Sequence, residues 1–459
     1  MFGWVGKKSK NIFILGMALS IVASGCSANS TPSGSGTTAP AATSDAKPVT
    51  LEWWSSSSLG ITQDDEFKQI ISEYKKVAPN VTINYNSIPN VGIDEKINVS
   101  IASGSFPDLY VDAINRLVPL YNRGVSAELD SYIDEDYNLA DYRNDAKDIM
   151  TINGKLAMFL MEVRSEVLLV NKDLFAKAGV ENLLPDAKTK TWTRANFSKA
   201  VEAIGKLGNG VYGMGLVASE LSNDKFVDGY IYSDGDEYTN KDYTKITYNT
   251  PANVKKLEWL VQLATSPYAV PGPSGTKVTE MYELFKQGKV GVAMNDRGDY
   301  RREISEGTVK EKINFMLAHF PTDDGSASKL APTGSGIVVK RQEDKVKEKE
   351  AAKFAMWFSS GKSELVNKML YQKYLKFPSR KSLQNLITDD IGKAWLEMPV
   401  KTIVNPVAMP NYQQIRKVWF TYYQQAMLTN SKVTAKDALA FFEKDAQKLL
   451  DEGNKELKK

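Results

Sequence analysis

Residues 49–86 impose the strongest constraint on the fold, because they set out strand, helix and strand in one short stretch. Val49-Thr50-Leu51-Glu52-Trp53-Trp54 is built of strand formers with partial alternation, and Ser55 to Ser58 and Gly60 stop it. Thr62 followed three residues later by Asp65 resembles a helix cap, and Phe67, Ile70, Ile71 and Tyr74 recur at helical spacing. Val81, Ile83 and Tyr85 then alternate as a second strand. Such a βαβ unit predicts an α/β protein with mainly parallel sheets covered by helices.

The pattern repeats. Ile93, Ile97 and Ile101 share a helix face, Gly104 to Asp108 turns the chain, and Leu109-Tyr110-Val111 forms a strand that delivers Asp112 to its carboxyl end. Ligands of open α/β sheets sit outside such ends, where an aspartate accepts two hydrogen bonds from neighbouring hydroxyls. An Asx turn or helix cap is the structural alternative for Asp112. Asn153-Gly154 marks a turn between two strand-like segments, 148–152 and 155–160. Val290 to Met294 reads as a buried strand that presents Asn295, Asp296 and Arg297, with Tyr300 shortly after. Thr434 and Asp437 open a helix carrying Ala438, Phe441, Phe442, Leu449 and Leu450.

With 459 residues the chain exceeds a single small core, so two lobes are expected. Its 58 basic and 55 acidic residues give +3, all of it accounted for by Lys7, Lys8 and Lys10 near the start. The neutral remainder argues against a nucleic-acid footprint. Cys26 is the single cysteine and His319 the single histidine. Disulfides and thiolate metal sites beyond Cys26 are therefore excluded, as are most histidine-based zinc and acid–base sites. Gly208 to Gly215 lacks the lysine and hydroxyl ending of a phosphate loop, and Asp234-Gly235-Asp236-Glu237 lacks the spacing of a calcium loop, so both read as turns. No cofactor is expected.

The first 25 residues read as a signal peptide: a basic start, an apolar run from Asn11 to Ala23, and the small residues Ala23-Ser24-Gly25 before Cys26. The closing motif resembles a bacterial lipoprotein signal, although Ala23 replaces the more usual Leu or Val. That resemblance makes Cys26 the lipidated N-terminus. Residues 26–46, rich in Ser, Thr, Ala, Pro and Gly, read as a flexible spacer.

Leu169-Val170-Asn171-Lys172-Asp173-Leu174-Phe175 with Ala178-Gly179 and Thr191-Trp192 resembles the shared pattern of bacterial extracellular solute-binding lipoproteins of carbohydrate ABC importers. Residues 102–108, 285–294 and 332–337 match as well. The resemblance implies a two-lobed periplasmic-binding-protein-like fold with interlobe hinge crossovers near Arg164, Ala331 and Lys376. The first lobe would take residues 47–161 and return at 332–375; the second would take 162–331 and return at 376–459. The implied partners are a carbohydrate, most naturally an oligosaccharide, the transmembrane subunits of a permease, and the membrane through the lipid anchor. The implied location is the extracytoplasmic face of the cell membrane.

Within that frame the candidate ligand contacts are Trp54, Ser55, Asp112, Arg164, Tyr230, Asp296, Arg297, Tyr300, Arg380 and Tyr412. Aromatic rings suit the apolar face of a pyranose, and the planar fork of arginine suits two acceptor oxygens. An arginine in place of the family's aromatic near 297 leaves an acidic sugar and a hydroxyl-binding arginine both open. The competing structural readings are aromatic core and hinge salt bridges. A surface glycan-processing enzyme with paired carboxylates and a non-transporting adhesin are the alternative functions; no local motif identifies a catalytic pair.

Overall fold

Alternation in β1 (Val49–Ser56) explains the first layer. Leu51, Trp53 and Ser55 are buried while Thr50 and Glu52 are exposed, and the strand pairs in parallel with β2 (Val81–Ile88) from Val49↔Val81 to Ser56↔Ile88. Trp53 packs its buried ring against Phe67 of α1 (Asp64–Val77) and against Phe354 and Phe358 of the helix Lys345–Ser359. The computed structural model describes residues 47–294, 299–308, 313–398, 401–402 and 406–457. The signal peptide, Cys26, the spacer, Asp296 and Arg297 lie outside the described residues.

β3 (Leu109–Ala113) follows α2 (Ile93–Ala102) and leads into α3 (Ile114–Asn122). β4 (Thr151–Ile152) and β5 (Lys155–Leu156) form a hairpin, with Asn153 and Gly154 at positive φ in its turn. β6 (Phe159–Arg164) closes the far edge of the first sheet, whose order is β2-β1-β3-β12-β6, with β12 spanning Thr333–Val339. A second sheet has the order β10-β7-β9-β8, formed by β7 (Leu168–Asn171), β8 (Tyr212–Met214), β9 (Val290–Met294) and β10 (Phe315–Ala318). β11 (Lys329–Leu330) and β13 (Lys401–Thr402) pair separately.

Each main sheet has one reversed strand, β12 in the first and β7 in the second; the others share a direction. The protein is thus a two-domain α/β fold. β12 slots between β3 and β6 because it lacks side chains where backbones crowd: a Cβ on Gly334 would lie 2.2 Å from the Glu162 carbonyl oxygen.

Two local expectations are revised. α1 begins at Asp64 behind Gln63, without a side-chain cap, so Thr62 does not cap it; three acids in its first turn instead complement the helix dipole. Residues 148–150 finish the helix Asn144–Met150 and are not strand. The helix Ala435–Glu456 does open with the reciprocal Thr434–Asp437 capping box.

Candidate functional site

The crossovers bring two strand edges face to face. β6 leaves the first sheet at Arg164 and β7 enters the second at Leu168, four residues later. Because β7 is the reversed strand, its start lies at the edge where β8, β9 and β10 end. Side chains at the carboxyl ends of both sheets are thereby collected around one junction, the usual ligand position in α/β folds.

On the first lobe, Asp112 is completely buried. Its Oδ1 accepts hydrogen bonds from Ser56 Oγ and the Ala113 amide, both at 2.7 Å, and its Oδ2 accepts one from the Tyr110 hydroxyl. Burial and the adjacent carboxylate push the Tyr110 pKa well up. One helical turn on, Arg116 places Nη1 3.4 Å from Asp112 and donates from Nε to Asp94 at 2.7 Å. Burial works against the Arg116 charge, but Asp112 and Asp94 outweigh it and raise its pKa.

On the second lobe, Arg416 grips Asp224 with Nε and Nη2 and reaches the Leu221 carbonyl at 2.8 Å. Burial alone would raise the Asp224 pKa, yet Arg416 holds it below the usual carboxylate range. Lys225 Nζ stands 3.9 Å from Asp228 and 5.4 Å from the Tyr412 ring centre. Burial lowers its pKa, but Tyr412, Asp228 and Asp224 more than compensate, raising it to about 12.

Asp228 accepts hydrogen bonds from Trp419 Nε1 at 2.7 Å and Tyr238 OH at 2.6 Å. Burial raises its pKa from 3.8 to about 6, with Asp224 adding to the rise against Lys225. The folded carboxyl keeps its proton to higher pH than the unfolded one does. Stability is therefore greatest below about pH 4 in this contribution, falls as pH rises to about 6, and is fully lost above it, a change of about 3 kcal/mol. Thermal unfolding across pH 4–8 should show Asp228→Asn with a smaller loss over that window than the parent protein; an unchanged curve would contradict the assignment.

Between these walls lies a crevice of about 880 Å³. Asp94, Asn98 and Arg116 line it from the first lobe, and Tyr412, Gln413 and Lys417 from the second. The walls meet where Gln413 donates its side-chain amide to the Asn115 carbonyl, and where Asn122 Nδ2 donates to the Ala408 carbonyl at 2.9 Å. The helix Tyr412–Ala426 starts there because Asn411 adopts the left-handed conformation before it.

Of the residues anticipated from sequence, Tyr412 lines the crevice and Asp112 stands behind its first-lobe wall. Trp54 instead faces a separate first-lobe groove beyond α2, beneath Lys96 at 4.9 Å and near Phe106. Ser55 is buried and donates to the Ser56 carbonyl. Arg164 sits at the end of β6 between Glu162, 3.4 Å away, and Glu166, 3.6 Å away, paired with the protein's own carboxylates.

Three others are placed in the core rather than at the crevice. Tyr230 packs against Phe197, Trp259 and Phe320. Tyr300 packs among Tyr282, Phe285 and Phe315. Arg380 lies between the Tyr137 and Tyr142 rings and donates to the carbonyls of Ser359 and Asn138. Each is covered because helices or turns fold over the strand ends where the sequence had left it open.

Asp94, Arg116, Gln413 and Lys417 were not anticipated. The available signal was Asp112-x-x-x-Arg116 just past a strand end, the spacing that aligns two side chains on one helical face.

Two α/β lobes with facing strand edges and a crevice walled by both define a two-lobed ligand-binding protein. The chain belongs to the bacterial extracellular solute-binding protein family, whose profile matches residues 60–363. That family places it outside the cytoplasm, as a binding protein rather than a catalyst. It is 25% identical over 283 residues to the arabinooligosaccharide-binding protein of Bacillus subtilis, covering 59% of this chain and 58% of that protein. A Brucella abortus sequence described as a candidate binding protein is 26% identical over 226 residues, 49% of this chain and 53% of that one. The chain thus spans about half the length of the curated relatives it matches.

Among solved structures, the cycloalternan complex of an ABC substrate-binding protein from Listeria monocytogenes superimposes with a TM-score of 0.67 at 22% identity, over 88% of this chain and 99% of that one. The sugar-binding protein MalE of Xanthomonas citri gives 0.70 at 18% identity, over 88% and 98%. At these identities the likeness establishes the fold.

Proposed function

We propose that the protein captures an extracellular oligosaccharide by closing its lobes and delivers it chemically unchanged to an ABC permease, while a lipid on Cys26 holds it at the extracytoplasmic face. The observation that carries this reading is the crevice of about 880 Å³ with its walls on different lobes. Small-molecule sites run from about 300 to 1,000 Å³, so the volume suits several sugar units better than one. Arg116, Asp94, Asn98 and Gln413 offer the mixed donors and acceptors that hydroxyls need. The carbohydrate named for the Bacillus subtilis relative, and that in the Listeria complex, support the cargo class.

Cargo with higher affinity for the closed form shifts the population towards it. Calorimetric titration with a panel of neutral, amino and uronic oligosaccharides should give saturable binding to at least one. Small-angle scattering of the same sample should show a smaller radius of gyration on saturation. Turnover of the sugar, or binding to none of the panel, would overturn the proposal.

A further inference from the structure

We infer that the first-lobe groove beyond α2 is a second carbohydrate subsite, in which a sugar ring near one end of a long oligosaccharide stacks on Trp54 while the rest of the chain lies in the crevice. This rests on the capture reading above and specifies the length of its cargo. Trp54 sits half-buried in a groove of about 460 Å³ whose lining includes Gly92, Glu95, Lys96, Val99 and Ser105. A sugar ring needs an apolar surface for its C–H face and polar groups around that surface for its hydroxyls. The groove offers both.

These groups are not spent on the fold. Trp192, Trp259, Trp395 and Trp419 each donate Nε1 to a protein oxygen. Trp54 makes no such bond among the described residues, and its Nε1 is accessible. Packing accounts for only part of its surface: Phe106 at 6.5 Å is its one aromatic neighbour among the described residues, where the adjacent Trp53 has three. Glu95 and Lys96 are exposed, and neither is paired with an opposite charge in the described chain. Lys96 instead lies 4.9 Å from the Trp54 ring centre. An exposed cation–π contact is weak, so a sugar ring can take the place of the ammonium.

The groove and the crevice flank one helix. Gly92 and Glu95 line the groove, whereas Asp94 between them lines the crevice, as do Ile97 and Asn98 one turn on. What divides the two is α2, about 10–12 Å across with its side chains. At its amino end the divide is lowest, because Gly92, at φ 73, carries no side chain and a Cβ there would meet nothing within 4 Å. An oligosaccharide long enough to round that end reaches both sites; a short one fills the crevice alone.

The test titrates the parent protein, Trp54→Ala and Val99→Arg by calorimetry with arabinotriose, arabinohexaose, maltotriose and maltoheptaose, with circular dichroism as the folding control. Val99 is 61% exposed, so an arginine there crowds the groove without disturbing the core.

In at least one series the parent protein is expected to bind the long chain at least tenfold more tightly than the trimer. Both variants are expected to lose that gain, bringing long chain and trimer to within about threefold of each other. A long chain bound by the parent no more tightly than its trimer would overturn the inference and leave the capture reading intact. A length gain retained by either folded variant would also overturn it. No binding of any of the four sugars by the parent would overturn the capture reading itself.

Discussion

Replacing Trp53 with alanine should remove about 3–5 kcal/mol of stability, a large share of the roughly 5–15 kcal/mol that holds a folded domain together. The indole is fully buried and its ring centre lies 5.1 Å from Phe67, 5.2 Å from Phe354 and 5.5 Å from Phe358. It therefore joins β1 to α1 and to a helix almost three hundred residues further along the chain, and deletion leaves a cavity that those fixed elements cannot close.

Its Nε1 is buried without a hydrogen-bond partner. Trp53→Phe should consequently be much milder, since it keeps an aromatic ring and discards an unsatisfied donor. Trp54→Ala should cost only about 1 kcal/mol, chiefly the contact with Lys96. Urea unfolding of the three variants checks the order. Equal losses for Trp53→Ala and Trp54→Ala would show that the interior face of β1 has been misassigned.

The contrast between these neighbours shows what the sequence could and could not express. Alternation of β-branched and aromatic residues reports a half-buried strand and a short apolar run a buried one, so β1 and β2 were legible in the first way and β9 in the second, as was the Thr434–Asp437 cap, whose two partners are three residues apart. Which face of β1 turns inward was weakly marked, because Trp53 and Trp54 are chemically identical and adjacent residues point to opposite faces.

The site was harder still. Tyr230, Tyr300 and Arg380 have the right chemistry for sugar binding, but their burial depends on residues such as Phe320, Phe315 and Tyr137 that reach them from distant segments. Arg116 was hidden for the same reason. Its bond to Asp94 spans 22 positions and exists only once α2 and α3 have packed. Family resemblance implied only that residues 332–375 return to the first lobe; the place of β12 between β3 and β6 was not legible, because nothing in the local pattern of residues 333–339 names its neighbours.

Arg116→Leu should abolish cargo binding and also destabilise the fold, and the two effects can be separated. Removing the cation leaves Asp112, wholly buried, without its charge partner, which typically costs about 3–5 kcal/mol when a buried pair is broken. Adding Asp112→Asn to the same chain removes that orphaned charge. The asparagine oxygen can still accept from Ser56 Oγ and the Ala113 amide, and its amide can donate to the Tyr110 oxygen.

The double variant should thus recover most of the lost stability in thermal unfolding. Its cargo affinity should remain at least a hundredfold down, because the guanidinium that faces the crevice is still absent. Recovery of binding together with stability would mean that Arg116 serves only to neutralise Asp112. A double variant no more stable than Arg116→Leu would mean that the buried carboxylate is not what the arginine protects. The loss of binding with stability restored is the outcome that makes Arg116 a wall of the site as well as a partner of Asp112.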